Sequence, residues 1–160
     1  MSNPSSGCPL AMQSPALRPR LLLVEDDAGR TRRFTEWLEG SEFVLIAARS
    51  GGQAMGVLRQ GAHGLAGLML DHDLSDSPLT STDASLSTSD LLPLIQRVVP
   101  RFVPVLIHSH NVSKPVVMQR ALEQAGFSVT RTRYMLLDAE PSRFTVWLQD
   151  VRDAWELQQP

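Results

Sequence analysis

Short apolar runs that alternate with segments of helical spacing are the feature of this sequence that most constrains its fold. The runs are too short for helices and apolar on both faces, which is typical of buried strands in a parallel sheet. They lie at 21–24, 43–48, 65–70, 102–107 and 128–132. Amphipathic segments follow them at 28–39, 50–60, 90–99, 114–125 and 144–157. This alternation predicts an α/β protein, in which a five-stranded parallel sheet carries helices on both faces.

Composition limits the size and the class of the protein. The chain has 160 residues, a formal net charge of −2 and 42% hydrophobic residues, which suits one domain with a buried core. Near-neutral charge removes the simplest argument for nucleic-acid binding, and no apolar run approaches the ~20 residues that span a bilayer. Residues 1–19 are rich in Ser, Pro and Gly and predict a flexible leader before a domain at 20–158. The leader lacks the apolar core of a signal peptide, so we expect a cytoplasmic protein, and the single cysteine, Cys8, cannot form an internal disulfide.

Acidic residues follow two of the predicted strands at the point where each strand ends. Glu25, Asp26 and Asp27 follow the first strand, and Asp71 and Asp73 follow the third. Because ligands of such sheets bind beyond the carboxyl ends of the strands, we expect these acids to share one edge. Crowded carboxylates cannot all stay ionised without a counter-charge, and a divalent cation such as Mg²⁺ at Glu25, Asp26 and Asp71 would supply it. Asp27 can instead cap the helix that follows.

Three of the four histidines lie at the same predicted edge. His72 follows the third strand, and His108 and His110 follow the fourth on either side of Ser109. Imidazole titrates near neutrality, so these residues can donate or accept protons, and together with Asp they can also bind Zn²⁺ or another transition metal. Strand alternation places His108 and His110 on one face and Ser109 on the other. We expect His63, in a glycine-rich turn, to face solvent.

The motifs LLLVEDD, LMLDHDL and PVLIHSHN, in this order, resemble those of the receiver domains of bacterial response regulators over about residues 20–157. The resemblance implies a flavodoxin-like, doubly wound sheet with strand order 2-1-3-4-5. It also implies that Glu25 and Asp26 bind Mg²⁺, that Asp71 is the phosphoacceptor and that Ser109 is the hydroxyl residue after the fourth strand.

Lysine usage departs from the receiver pattern. Fourteen of the 15 basic residues are Arg, and the single lysine, Lys114, follows the fourth predicted strand, whereas receivers carry Lys-Pro after the fifth. Arg131 or Arg133 can substitute, although a guanidinium is not equivalent to an ammonium. The loop at 74–89 is expanded and has the Ser- and Thr-rich composition of a mobile lid.

A narrower resemblance, to the cyclic-phosphate processing receiver domains, rests on LDHDL and HSxN, with Asp90 opening the next helix and Met118 in the helix after the fourth strand. It implies action on phosphate ends, such as the 2′,3′-cyclic phosphates of RNA. The residues that match its motif are the candidate catalytic residues Asp71, His72, Asp73, His108, Ser109 and Asn111. The first acidic motif, VEDDAGR, instead resembles that of an ordinary receiver.

These patterns leave three functions open. In the first, the chain is a metal-dependent phosphoesterase that opens a cyclic phosphodiester of a small molecule or an RNA end, with His72 or His108 as acid and base. In the second, it is a stand-alone bacterial response regulator, without a DNA-binding output domain, that a histidine kinase phosphorylates on Asp71. In the third, it is a pseudo-receiver that binds proteins without phosphate chemistry. We expect Mg²⁺ in the first two, and no membrane partner in any of them.

Overall fold

Five strands form one parallel sheet in a computed structural model of the chain, which describes residues 17–74, 87–110 and 115–160. The strands are β1 (Arg20–Val24), β2 (Val44–Ala48), β3 (Leu65–Asp71), β4 (Val105–Ser109) and β5 (Val129–Arg133). They pair in the order β2-β1-β3-β4-β5, with every pair parallel. The predicted doubly wound, flavodoxin-like α/β fold with strand order 2-1-3-4-5 is confirmed.

The α-helices among the described residues follow the strands along the chain. They are α1 (Ala28–Trp37), α2 (Gly51–Arg59), α3 (Leu92–Val98), α4 (Pro115–Gln124), α5 (Tyr134–Ala139) and α6 (Ser142–Glu156). The side chain of Asp27 accepts a hydrogen bond from the backbone N–H of Arg30, and that of Ser50 accepts one from Gln53. These oxygens satisfy N–H groups that have no partner within α1 and α2. Asp27 therefore has the capping role that its position allowed.

Each face of the sheet carries its own apolar core. Leu21 and Leu23 of β1 pack with side chains of α1, α5 and α6, whereas Leu22 and Val24 pack with side chains of α2, α3 and α4. All residues of β3 are buried, as expected of a central strand that is covered on both faces. Successive side chains of a strand point to opposite faces of the sheet. The position of the last residues of β1 and β3 in this alternation therefore determines the face on which their side chains can form a site.

The strand β4 begins later than the sequence predicts. It was expected at 102–107 but spans Val105–Ser109, because a turn comes first, in which the N–H of Val103 donates to the carbonyl oxygen of Pro100 at 3.1 Å. As a consequence His108 lies inside the strand, hydrogen-bonded into the sheet between β3 and β5, rather than in the loop that follows.

Two helical segments also differ from the prediction. The helix α5 (Tyr134–Ala139) was not predicted, because Leu137 is its one buried side chain and its apolar periodicity is weak. The helix expected at 90–99 begins as a 3-10 turn over Thr88–Leu91, in which the carboxylate of Asp90 accepts the backbone N–H of Ser87 at 2.7 Å.

Parts of the predicted organisation lie outside the described residues. These parts are 1–16 of the leader, 75–86 of the predicted loop, and 111–114 with Asn111 and Lys114. Within the described ranges, no helix combines the length and the apolar character needed to cross a membrane.

Candidate functional site

The carboxyl ends of β1 and β3 bring two buried acidic side chains together. The two strands are adjacent and parallel, with Val24 opposite Leu70, so the next residues, Glu25 and Asp71, are neighbours as well. The N–H of Glu25 donates to the carbonyl oxygen of Ala48 at 3.0 Å, which keeps the chain extended up to the acid. Glu25 and Asp71 each have 0% relative exposure. Two carboxylates therefore lie inside the protein at the edge where the sequence predicts them.

Glu25, Asp26 and Asp71 form a cluster, called here the acidic cluster, that suits a divalent cation. Each offers a carboxylate oxygen, and these oxygens all lie within 4.8 Å of one another. Among the described residues, the buried Oε2 of Glu25 has no hydrogen-bond partner, while the buried Oδ2 of Asp71 forms an ion pair with Arg30. Mg²⁺ and Mn²⁺ prefer carboxylate and other oxygen ligands. The three residues predicted as metal ligands could hold such an ion.

Burial makes negative charge costly in the acidic cluster. Burial, and then the neighbouring Asp71, raises the pKa of Glu25 to about 9. Burial likewise raises the pKa of Asp71. The guanidinium of Arg30 counteracts both shifts, because a positive charge favours the ionised carboxylates. The electrostatics of the site therefore favour a cation.

Arg30 of α1 places a positive charge inside the acidic cluster. Its Nη2 lies 3.1 Å from Oε1 of Glu25, 3.1 Å from Oδ2 of Asp71 and 3.9 Å from Oδ1 of Asp26. The side chain is 13% exposed, and the guanidinium carbon lies 5.5 Å from the ring centroid of Tyr134. Arg30 is thus a counter-charge that the protein itself supplies.

His108 of β4 lies beside the acidic cluster, next to Glu25. Its imidazole is 0% exposed, and Nδ1 lies 3.6 Å from Oε2 of Glu25. Burial, followed by the charges of Arg30 and His110, lowers the pKa of His108 to about 3. The ring also packs against Phe34, with a centroid separation of 5.0 Å. At neutral pH His108 is therefore an uncharged residue inside the protein.

Ser109 follows His108 in β4, so its side chain points to the opposite face of the sheet. There it forms a second polar group with His72 and Asp73. Its Oγ donates to Oδ2 of Asp73 at 3.0 Å, while Nδ1 of His72 lies 3.5 Å from Oδ1 of the same carboxylate. The N–H of Asp73 donates to Oδ1 of Asp71 at 3.0 Å, which joins this group to the acidic cluster. The side chains of His72 and Asp73 are 16% and 34% exposed, so this second group reaches solvent.

Comparison with known proteins identifies the fold. No family model and no curated protein matches the sequence. A signal receiver domain from Vibrio parahaemolyticus superposes with a TM-score of 0.63 at 20% identity, over 90% of this chain and 100% of that chain. This chain has the fold of a response regulator receiver domain. The signal receiver domain of an HD domain-containing protein from Pseudomonas fluorescens Pf-5 matches with a TM-score of 0.61 at 18% identity, over 88% and 97% of the two chains. The Mn²⁺-bound form of response regulator Rcp1 matches with a TM-score of 0.54 at 22% identity, over 71% and 80%.

The predicted site residues form two groups on this fold, and the groups meet at the end of β3, where the N–H of Asp73 donates to Asp71. The first group is the acidic cluster with His108 beside it, and the second is His72, Asp73 and Ser109. His110 lies on the same side as His108, exposed and 6.2 Å from Tyr134 between ring centroids. Asn111 lies outside the described residues. His63 is exposed, as predicted.

Arg30 is a site residue that was not predicted from the sequence. Arg131 and Arg133 were the predicted substitutes for the receiver lysine, but both are exposed on β5, and Arg30 forms the ion pairs with Glu25 and Asp71. A signal was present in the sequence. Arg30 lies in the first turn of α1, where the helix dipole disfavours a cation, and four residues after an acid, a spacing that brings two side chains together.

Proposed function

We propose that residues 20–158 form a receiver module that binds a divalent cation, preferably Mg²⁺, at the acidic cluster and accepts a phosphoryl group on Asp71. The observation that carries the proposal is the convergence of three carboxylates, within 4.8 Å, at the carboxyl edge of the sheet. The Mn²⁺-bound form of Rcp1 is a precedent for a divalent cation on a response regulator of similar fold. The phosphoryl donor in this proposal is a histidine kinase in the cytoplasm.

Asp71 is the nucleophile of the proposed reaction. One of its carboxylate oxygens forms a bond to phosphorus, and the bond from phosphorus to the imidazole nitrogen of the donor breaks, with the electron pair leaving on that nitrogen. The product is an acyl phosphate on Asp71. A bound Mg²⁺ supplies positive charge next to the phosphoryl oxygens. Ser109 Oγ, which now donates to Asp73 at 3.0 Å, is the hydroxyl that we expect to turn towards a phosphoryl oxygen.

A second candidate function is hydrolysis of a cyclic phosphate on a small molecule or an RNA end, and the group of His72, Asp73 and Ser109 favours it. The Asp73 carboxylate lies 3.0 Å from Oγ of Ser109 and 3.5 Å from Nδ1 of His72, and the N–H of Asp73 donates to Oδ1 of Asp71. In this reaction water adds to phosphorus and one P–O bond of the ring breaks. The carboxylate of Asp73 would accept the proton that the water loses, and His72 would give a proton to the leaving oxygen and recover one from Asp73, 3.5 Å away. We assign proton transfer to His72 because His108 is fully buried and its pKa is lowered to about 3.

Labelling with acetyl phosphate tests the first proposal. Wild type, Asp71→Asn and Asp138→Asn are incubated with acetyl phosphate and MgCl₂, and intact mass spectrometry counts phosphoryl adducts. Asp138 is a control acid, because it lies exposed on α5 and pairs with Arg33 rather than with the acidic cluster. We expect one adduct on wild type and on Asp138→Asn, and none on Asp71→Asn or without Mg²⁺.

An assay of the same proteins with a 2′,3′-cyclic nucleotide distinguishes the two candidate functions. Release of a monophosphate from a 2′,3′-cyclic nucleotide, lost in His72→Ala, with no adduct on Asp71, would replace the first proposal by the second. Absence of both activities would leave the protein-binding pseudo-receiver, and an adduct that persists in Asp71→Asn would refute Asp71 as the phosphoacceptor.

A further inference from the structure

One guanidinium nitrogen contacts all three carboxylates of the acidic cluster. Nη2 of Arg30 lies 3.1 Å from Glu25, 3.1 Å from Asp71 and 3.9 Å from Asp26, each measured to a carboxylate oxygen. The oxygens available to a metal ion belong to the same three residues. Nη2 therefore lies where a bound cation would be expected.

A metal ion and this guanidinium cannot occupy the acidic cluster together. A divalent ion binds carboxylate oxygens at ~2.0–2.6 Å. Because Nη2 is 3.1 Å from two of these oxygens, an ion among them would lie within contact distance of the nitrogen. Both groups are positively charged, so they also repel each other, and most strongly in a buried site.

Some buried polar atoms in and beside the acidic cluster lack a hydrogen-bond partner in the described part of the chain, although Arg30 is present. Oε2 of Glu25 and both ring nitrogens of His108 have no hydrogen-bond partner among the described residues, and His108 is 0% exposed. Nδ1 of His108 is directed at that oxygen but lies 3.6 Å away, beyond hydrogen-bond distance. Because buried polar atoms are normally hydrogen-bonded, these atoms indicate capacity for a further ligand that Arg30 does not fill.

We propose that Arg30 is an internal counter-cation that competes with a divalent metal ion, so that the metal enters the acidic cluster only when the guanidinium leaves it. This inference rests on the proposed metal site and adds the residue that controls access to it. A departing guanidinium has a short path, because the side chain is already 13% exposed. The guanidinium carbon already lies 5.5 Å from the centroid of the Tyr134 ring, a cation–π contact that does not involve the carboxylates.

Calorimetric titration of MgCl₂ and MnCl₂ into wild type, Arg30→Gln and Arg33→Gln tests the competition. Arg33 is the matched control, because it lies one turn further along α1 and pairs with Glu36 and Asp138. We expect Arg30→Gln to bind the ions at least ~10-fold more tightly than wild type, since it removes a competing charge from a poorly solvated site. Arg33→Gln should bind within ~2-fold of wild type, because its charge is exposed and screened.

Equal or weaker binding by Arg30→Gln overturns the inference, and so does the absence of binding by every variant. If circular dichroism shows that Arg30→Gln does not fold, an NMR titration of the wild type with MgCl₂ tests the competition instead. The Nε–Hε resonance of Arg30, assigned by its absence from the Arg30→Lys spectrum, should shift when MgCl₂ is added. A resonance that stays unchanged at high MgCl₂, whether or not the ion binds elsewhere, overturns the inference as well.

The acetyl phosphate experiment separates this inference from the proposed function. A gain of metal affinity in Arg30→Gln without any phosphoryl adduct on wild type supports competition by Arg30 and refutes the phosphoacceptor role of Asp71. Conversely, an adduct that requires Mg²⁺, with equal metal affinity in both proteins, supports Asp71 as phosphoacceptor and refutes competition by Arg30.

Discussion

At the residue scale, the burial of His108 links the stability of the fold to pH. The imidazole is 0% exposed, packs against Phe34 and has no hydrogen-bond partner among the described residues. Burial, and then Arg30 and His110, lowers its pKa from 6.5 to about 3. Between these two values the unfolded chain binds a proton that the folded protein excludes, so acid favours unfolding.

We therefore expect His108 to lower the free energy of unfolding as the pH falls from 6.5 towards 3. The loss is at most ~1.4 kcal/mol per pH unit. The contribution of Glu25 to stability changes with pH in the opposite direction. Because its pKa is raised to about 9, this contribution is fully present below pH 4.5 and is lost as the pH rises through 9. The difference between wild type and His108→Leu in urea unfolding, measured at a series of pH values, isolates the histidine.

The matched control is His63→Leu, which removes an exposed imidazole at the opposite edge of the sheet. It should keep the acid dependence of the wild type, whereas His108→Leu should lose the part between pH 6.5 and 3. The same acid dependence in His108→Leu and wild type would contradict the burial of a neutral imidazole.

The acids of the site could be predicted from the sequence, whereas the partner of those acids could not. Glu25 and Asp71 follow apolar strands, and the topology alone brings adjacent strand ends together. The four-residue spacing indicates only the contact of Arg30 with Asp26, whereas its closer contacts with Glu25 and Asp71 depend on the rotamers of a long side chain. The choice of Asp73 as the acceptor for Ser109 is equally a matter of loop geometry.

At the scale of secondary structure elements, the packing of α6 on the sheet depends on Gly67. A Cβ atom at this position of β3 would lie 2.7 Å from Cδ2 of Leu21 and 3.0 Å from Cη2 of Trp147. Trp147 is 2% exposed and belongs to the core between the sheet and α6. Gly67 therefore allows the indole to approach the strand closely.

Gly67→Ala should lower the free energy of unfolding by about 1–3 kcal/mol, because the added methyl group overpacks a filled core. Gly56→Ala is the control, since a Cβ on this residue of α2 meets nothing within 4 Å. It should raise stability by about 0.5–1 kcal/mol through the better helix propensity of alanine. Urea unfolding of both variants measures the two effects, and a change of the same sign in each would contradict this account.

Sequence patterns located the elements better than their ends. The apolar run that predicts β4 includes residues of a turn, because burial in a turn gives the same hydrophobic pattern as burial in a strand. The helix α5 escaped prediction because it buries Leu137 alone and lies next to α6. Both differences matter for the site: the first places His108 within β4, and the second places Tyr134 near Arg30.

At the scale of the whole molecule, the strand order determines where the site forms. In the order β2-β1-β3-β4-β5 the direction of the connections changes between β1 and β3, and ligands of such sheets bind beyond the strand ends at that point. Glu25 follows β1, Asp71 ends β3, and both are buried where these strands meet. In this chain the topological switch point therefore holds buried acidic side chains, and the guanidinium of Arg30 pairs with them.

The most direct test of this account is the position of a metal ion in crystals soaked with MnCl₂, located by the anomalous scattering of manganese. We predict one Mn²⁺ bound by carboxylates of the acidic cluster, with Nη2 of Arg30 withdrawn from its 3.1 Å contacts with Glu25 and Asp71. Crystals of Asp71→Asn serve as the control and should show a weaker peak or none. Manganese found only at other sites, with Arg30 still paired to both carboxylates, would contradict the account.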